Sequence, residues 1–349
     1  MKRSSLTLLL AALAAPQGLQ AAPLTVSSEP LGYTTTLLFG SHANGSRKNN
    51  FVAPTLVNAP SWRGTVTSVA GNQVALNGQA MATGAFNASA DAPSRYAYFI
   101  QTGDGFWAHI VSNDNHSVTL PVGFADQLTA GEAVVIRRHL TITDYLGNNE
   151  VGLRANSSGT FSQADRIMIA NPAEGGNTTI IASSVLGGTW ITDDFKNAAN
   201  FPIYPDQGVQ ISRTLPGDLT LETVGRVDTK ERQIQINTGI NILPVPSPTG
   251  TTLTALALYT GDAATGVVGS AQGVISQADT VSITTNGVTT VHFYSSISLA
   301  PGAGAGWYND SLQFSGNEII PAGSSIVVKR TNPTNSASFV WKVPAPEIR

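Results

Sequence analysis

The sequence contains no cysteine, and little of it is charged. Its 349 residues include 19 Lys or Arg and 22 Asp or Glu, so charged residues make up 12% of the chain, about half the share that is typical of soluble domains. Without cysteine the chain has no disulfide, no thiol nucleophile and no Cys-ligated zinc or iron–sulfur site. We therefore expect stability to come from apolar burial and backbone pairing, beneath a surface formed mainly by Ser, Thr, Asn and Gln.

Linear signatures of catalysis and of nucleic-acid binding are missing as well. The chain has no HExxH, no GxSxG elbow, no phosphate loop and no DxDxDG calcium loop. It has no basic run and a net charge of −3, which offers phosphates little attraction and argues against nucleic acid as a partner. Enzymatic activity stays open, but these absences favour a protein without it.

The N-terminus has the pattern of a secretory signal. Lys2 and Arg3 precede an apolar run over residues 6–15, and the small residues Ala21 and Ala22 follow. The run is too short to span a bilayer, which takes about 20 residues. We therefore predict a signal peptide over residues 1–22 and no transmembrane helix after its removal. The mature protein is expected in the periplasm, on the outer surface or outside the cell.

Similar segments recur along the chain. SQADRIMIA begins at Ser162 and SQADTVSIT at Ser276, and each is followed by a glycine-led tryptophan turn, at Trp190 and Trp307. Apolar residues alternate with polar ones in these segments, which is the pattern of half-buried strands. The sequence therefore predicts an all-β fold made of consecutive small antiparallel β-sandwich or barrel modules with internal repeats.

Local patterns predict two hairpins and one helical turn. GTVTSVAGNQVALN from Gly64 has alternating aliphatic residues around an Ala-Gly-Asn turn, and GRVDTKERQIQIN over residues 225–237 resembles it. TDDFKNAANF, residues 192–201, is the best helical candidate because Thr192 could cap a turn with two acidic residues at its start.

Composition shifts suggest the domain organisation. Residues 23–150 form an N-terminal β-module and residues 151–243 a second one. Three prolines within residues 244–250 predict a stiff linker, and residues 251–349 form the C-terminal module.

Aromatic residues are the first candidates for ligand binding. Trp107, Trp190, Trp307 and Tyr308 lie in similar turns, and exposed aromatic rings can stack on sugars. The alternative is that each ring covers the core of its own module. We favour that interpretation because packing explains recurrence better than a ligand site does.

Acidic and basic residues are the second set of candidates. Asp193 and Asp194 could contribute oxygen ligands to a calcium ion, the one cofactor that we consider. Asp165 and Asp279 take matching places in the SQAD segments, where carboxylates commonly accept backbone N–H groups. Two pairs of basic residues end matched strands, where positive charge can guard a sheet edge; they are Arg137–Arg138 and Lys329–Arg330.

Several of these segments resemble a family of uncharacterised exported proteins that is abundant in verrucomicrobial genomes. The resemblance rests on PLGYTTT at 30–36, GTVTSV from Gly64, YFIQTGDGFW from Tyr98, the SQAD strands and the closing IPAGSSIVVKR. It covers most of the chain after the leader. Because the family has no established activity, it implies no catalytic residue. Trp307-Tyr308 keep the aromatic cluster of the family, whereas Trp190-Ile191 lose it.

These observations favour a non-enzymatic structural or surface protein of the envelope or extracellular matrix that acts by self-association or adhesion. Edge strands at residues 336–343 and 23–28 could add to the sheet of a neighbouring copy. The alternatives are a carbohydrate-binding protein with tryptophan platforms and polysaccharide as partner, a polysaccharide-active enzyme, or an outer-membrane barrel.

Overall fold

The structure is a computed structural model that describes residues 29–41, 46–87, 96–149, 151–157, 161–171, 176–185, 189–330 and 337–346. The predicted signal peptide and the candidate edge strand at 23–28 lie outside these ranges. Within them the chain is nearly all-β with several antiparallel sheets, as predicted. The described part contains no helix with the length and hydropathy needed to cross a bilayer.

Among the described residues, the first part of the chain holds eleven strands, one short α-helix and a 3₁₀ turn at Ala125–Gln127. In chain order the strands and the α-helix are β1 Leu31–Leu38, β2 Lys48–Val52, β3 Leu56–Val57, β4 Pro60–Ala70, β5 Gln73–Gly78, β6 Tyr98–Thr102, β7 Trp107–His109, β8 Ser112–Asn113, β9 Ser117–Thr119, β10 Ala133–Arg138, β11 Leu140–Thr141 and helix α1 Ile142–Leu146.

The described residues of the remainder hold fifteen further strands and a 3₁₀ turn at Ile275–Gln277. The strands are β12 Arg166–Asn171, β13 Gly176–Ser183, β14 Thr189–Thr192, β15 Pro202–Ile203, β16 Val209–Arg213, β17 Leu219–Val227, β18 Arg232–Ile236, β19 Gly239–Pro244, β20 Thr251–Thr252, β21 Thr280–Thr285, β22 Val288–Ser295, β23 Gly306–Asn309, β24 Ile319–Ile320, β25 Ser325–Arg330 and β26 Phe339–Val343.

Seven strands form the largest sheet, in the order β7-β6-β10-β4-β5-β9-β8. The first predicted hairpin is confirmed in it: Ala70 of β4 pairs with Gln73 of β5, and Gly71 between them has φ 60°. This left-handed conformation is easiest for glycine. Val134 and Ile136 of the interior strand β10 point into one core, as their alternation predicts.

Two five-stranded sheets share one strand order. The first is β14-β13-β12-β16-β2, and the second, read from its far edge, is β23-β22-β21-β25-β19. Each sheet covers its own hydrophobic core. The alternating residues Ile167 and Ile169 in the first sheet, and Val281 and Ile283 in the second, are buried in these cores. The predicted period of two is confirmed in both.

The smaller sheets join strands that are far apart in the sequence. Strand β1 pairs along its whole length with β17, which also pairs with β3. Strand β2 pairs with β16 in the first five-stranded sheet. Strands from the predicted module 23–150 thus complete sheets built from residues 151–243. The remaining two-stranded sheets are β18-β26, β11-β15 and β20-β24.

The second predicted hairpin, over residues 225–237, is wrong. Strands β17 and β18 do not pair with each other, because β17 pairs with β1 and β3 while β18 pairs with β26. Long-range partners override the local resemblance to the β4–β5 hairpin. In the predicted linker, Pro244 is the last residue of strand β19.

The helical turn predicted for residues 192–201 is also wrong. Residues after Thr192 form a tight turn in which Phe195 has φ 63°, outside the helical region. The helix lies at Ile142–Leu146 instead, where Thr141 and Asp144 form a reciprocal capping box. Such a box satisfies two backbone N–H groups that a helix start leaves unpaired.

Candidate functional site

The predicted aromatic residues lie mostly in the cores. Trp190 and Trp307 are 2% and 3% exposed and belong to the two five-stranded cores, and Tyr308 is fully buried. The Trp190 indole N–H donates to the Gly147 carbonyl at 2.8 Å. These three rings offer no open face to a sugar, which agrees with the packing interpretation.

Trp107 is half-buried and belongs to an aromatic cluster on the seven-stranded sheet. Its indole N–H donates to the Gln233 carbonyl at 3.2 Å. Its ring meets His109 and His139 edge to face, with centroids 5.1 and 6.2 Å away, and Tyr204 packs on both imidazoles. The N–H edge of the Trp107 indole is therefore already hydrogen-bonded within the chain.

The two histidines of this cluster share one hydrogen bond. His109 Nδ1 lies 3.2 Å from His139 Nε2, and the buried Nδ1 of His139 has no partner in the described residues. Burial lowers the pKa of His109 to about 4 and the pKa of His139 well below its usual range. A His139 that ligated a metal through Nε2 would carry its proton on Nδ1 and would need an acceptor there. The cluster fits a neutral hydrogen-bonded pair better than a metal site.

Asp193 and Asp194 lie in the exposed turn after β14. Asp194 pairs with Lys196, with Nζ 2.7 Å from Oδ2, and also accepts a hydrogen bond from the Thr192 hydroxyl. The Lys196 contact, together with the Thr192 hydroxyl, lowers the pKa of Asp194. No group of three or more His, Asp or Glu that could hold a metal occurs in the described ranges. Calcium binding here stays a prediction.

Asp165 and Asp279 hold matching contacts in the two five-stranded sheets. Asp165 accepts from the Arg154 backbone N–H at 3.0 Å, as Asp279 does from Val268 at 2.9 Å. Each carboxylate also faces a buried arginine: Arg213 Nε lies 3.7 Å from Asp165, and Arg330 Nε lies 3.2 Å from Asp279. The backbone contacts are those predicted for carboxylates at strand ends.

The edge-guarding role predicted for the basic pairs is wrong. Strand β10 lies between β6 and β4, and β25 lies between β19 and β21, so neither strand is an edge. Arg137 is fully buried; it donates to the Asn58 carbonyl at 2.7 Å and pairs with Glu29. Arg330 pairs with Asp279 in the same way. These arginines satisfy buried polar groups inside the sheets.

A third cluster brings a serine, a histidine and a glutamate together. His292 Nδ1 lies 2.9 Å from Ser315 Oγ, and His292 Nε2 lies 3.5 Å from Glu318 Oε2. His292 is fully buried, and Ser315 is 7% exposed. Burial lowers the pKa of His292 to about 4, so its imidazole is a weak base. Nucleophilic catalysis favours a base matched to the working pH and an accessible hydroxyl, and this geometry supplies neither.

This cluster occupies positions that are apolar in the other five-stranded sheet. His292 pairs with Val281 as Ile180 pairs with Ile167. Ser315 donates its backbone N–H to the Trp307 carbonyl, as Ala198 does to that of Trp190. No motif signals the cluster in the sequence, because its members come from different strands and turns and meet only in the fold.

A groove of about 480 Å³ lies beside the predicted linker. The residues Val245, Pro246, Leu256, Ile319, Val343 and Pro344 contribute to its lining. The lining includes hydroxyls but no charged or aromatic side chain. The groove therefore lacks the ring faces that sugar stacking uses.

The three-stranded sheet presents apolar side chains to solvent. We define its outer face as Leu31, Tyr33, Thr35 and Leu37 of β1 and Thr220, Glu222, Val224 and Arg226 of β17, which pair directly across the two strands. Leu31, Tyr33 and Val224 are 69%, 57% and 68% exposed. The inner face is closed instead, since Thr34, Thr36 and Leu38 are buried. A cluster of large exposed apolar side chains commonly marks an interaction surface.

Strand β1 also lies at the edge of its sheet. In the described ranges it has a ladder partner on one side only. Its sequence LGYTTTLL contains no charged residue and no proline, and its pairing with β17 has no bulge. Charged residues, prolines and bulges usually protect an edge strand from pairing with another chain, and β1 has none of them. Alternation in LGYTTTLL signals a strand, but sequence reasoning missed which of its faces stays open.

The comparisons with known proteins identify no relative: no family model, no curated protein and no solved structure matches the chain. The resemblance to exported verrucomicrobial proteins therefore stays a prediction.

Proposed function

We propose that this chain is an exported structural protein that acts by self-association in the envelope or extracellular matrix. The observation that carries the proposal is the outer face. There Leu31 and Tyr33, on an edge strand that lacks charge and proline, are exposed together with Val224. Covering such a face removes apolar area from water, which stabilises the complex by about 25 cal/mol per Å² of buried apolar area. A second copy of the chain provides that cover.

Composition and architecture support this proposal. The leader pattern at residues 1–22 supports export, and the chain after it is polar but weakly charged, which reduces repulsion between copies. We also propose that the two five-stranded sheets are copies of one unit. Their shared strand order and the matching Asp165–Arg213 and Asp279–Arg330 pairs support this. Repeated β-units are well suited to a scaffold.

A second contact in the same assembly is proposed at strand β26. The sequence singles out residues 336–343 as an edge strand, and Phe339–Val343 pairs with β18 on one side only in the described part of the chain. Alternate residues of β26 are buried, and Trp341 donates its indole N–H to the Leu256 carbonyl at 2.8 Å. The strand is therefore firmly held and can present its other edge for strand addition.

Carbohydrate binding, the alternative function, has less support. Of its four candidate residues, only Trp107 keeps partial exposure. Its indole N–H is already bonded within the chain. We therefore make no separate proposal for a sugar site.

Sedimentation velocity over a wide concentration range tests the proposed function. We expect reversible association of the wild-type protein and its loss in Val224→Asp, because a charge at that site opposes burial of the face. Val122 is 89% exposed on another part of the surface, so Val122→Asp is the matched control and should associate as the wild type does. A wild-type protein that stays monomeric throughout would contradict the proposal.

A further inference from the structure

The outer face carries two opposite charges at equal distances from Val224. Glu222 and Arg226 lie on β17, each two residues from Val224, and their side chains point to the same side of the sheet as Val224. Glu222 is exposed. One guanidinium nitrogen of Arg226 donates to the Glu29 carbonyl at 2.9 Å, which holds this side chain at the end of the sheet.

We infer that two copies of the chain pack these faces together around a two-fold axis that passes over Val224 and Tyr33, so that Glu222 of each copy meets Arg226 of the other. The inference rests on the proposed function and specifies its contact. An axis parallel to the sheet and perpendicular to the strands makes the facing strands antiparallel. This corresponds to the aligned packing of two sheets, about 10 Å apart.

The apolar residues agree with this axis. Tyr33 pairs with Val224 across β1 and β17, so both residues lie on the axis and meet their own copies. Leu31 pairs with Arg226, and Thr35 pairs with Glu222; the axis therefore brings Leu31 of one copy over Thr35 of the other. The interface is isologous, as two-fold dimers require. Any other axis direction in this plane loses the match of opposite charges at both ends.

The size of the face sets the expected strength. Two rows of four side chains cover less than the roughly 800 Å² per partner that stable complexes bury. We therefore expect a weak, reversible pair that is detected at about 10–100 μM protein. Exposed ion pairs weaken as salt screens them, so association should decrease when the ionic strength is raised.

Charge reversal tests the geometry. Glu222→Arg alone places two like charges at each end of the interface, and Arg226→Glu alone does the same with the opposite sign. We expect each single variant to weaken association roughly tenfold. The double variant Glu222→Arg/Arg226→Glu restores both pairs in exchanged positions and should associate within about twofold of the wild type. Thermal unfolding of each variant establishes that it is folded.

The outcomes separate the two proposals. If wild-type protein associates but the double variant stays as weak as the single ones, the two-fold contact is overturned while the proposed function stands. The same follows if the single variants associate normally. If the wild-type protein is a monomer at every concentration, both proposals fail, and a different partner must cover the face.

Discussion

Phe195 and Leu312 occupy matching places in two tight turns, and both have a left-handed backbone, with φ 63° and 60°. The Phe195 N–H donates a hydrogen bond to the Thr192 carbonyl, and the Leu312 N–H donates one to the Asn309 carbonyl. Large side chains rarely adopt this conformation, because the Cβ comes too close to the following carbonyl. Phe195 is 61% exposed, so burial does little to offset the strain.

Replacing Phe195 by glycine should therefore stabilise the protein. Relief of the left-handed strain outweighs the greater chain entropy of glycine, for a net gain of roughly 0.5–1 kcal/mol in the free energy of unfolding. Leu312→Gly is expected to act in the same direction. Urea denaturation of each variant measures the change.

The turn between β6 and β7 provides the control. There Gly105, with φ 85°, takes the left-handed position, and its carbonyl accepts a hydrogen bond from the Gln233 N–H at 3.1 Å. A Cβ on Gly105 would overlap the Glu231 carbonyl oxygen. Gly105→Ala should therefore destabilise the protein. A Phe195→Gly variant that is also less stable than the wild type would show that the Phe195 ring contributes more than its strain costs.

At the scale of elements, alternation predicted the strands but not their partners. Ile234 and Ile236 are buried, as their period of two implies, yet β18 pairs with β26, which lies more than a hundred residues away in the sequence. Local pattern reports which side chains face a core, whereas pairing depends on which strands the whole fold brings together. The β4–β5 hairpin is predictable from the sequence because a short turn joins the two strands that pair with each other.

Thr141 caps the start of the α-helix, and the local sequence signal for a helix start is stronger there than at Thr192. Thr141 is followed three residues later by Asp144, which completes the capping box. Thr192 is followed at that spacing by Phe195, which cannot return a hydrogen bond to the cap. Two acidic residues at the start of a segment favour a helix only weakly. The reciprocal bonds, together with burial of Ile142 and Tyr145, decide where the chain turns helical.

The candidate surface was less predictable than the strands. The exposed and the buried residues of β1 alternate, and both sets include threonine and leucine: Thr35 and Leu37 are exposed, whereas Thr36 and Leu38 are buried. Sequence periodicity therefore could not tell the open face from the closed one. That distinction depends on β17, which is nearly 200 residues further along the chain.

For the whole molecule, buried histidines should make stability depend on pH. The pKa values of His109 and His292 are lowered to about 4, and that of His139 is also lowered, each mainly by burial. The unfolded chain therefore binds more protons than the folded one between pH 6.5 and about 4. By linkage, each histidine removes up to about 1.4 kcal/mol of stability per pH unit as the pH falls through this window.

Two carboxyl groups oppose this trend, because burial raises the pKa of Asp206 to about 6 and also raises the pKa of Glu318. The three histidines outweigh these two carboxyl groups, so we expect the free energy of unfolding, measured in urea at several pH values, to fall from pH 6.5 towards pH 4. His292→Ile, which introduces the residue found at the matching Ile180 position, should reduce the slope. A stability that stays flat or rises on acidification would contradict this prediction.

The most direct test of association at the outer face is a distance between two copies. The chain has no cysteine, so Thr220→Cys, at the exposed end of β17, accepts a single nitroxide label. With about 3.4 Å per residue and sheets about 10 Å apart, the two-fold contact places the two Cα atoms about 30 Å apart. We predict that pulsed electron–electron double resonance shows a narrow distribution of label-to-label distances near that value. The same label on Val122→Cys should not give this distribution. A signal without dipolar coupling at concentrations that favour association would contradict the account.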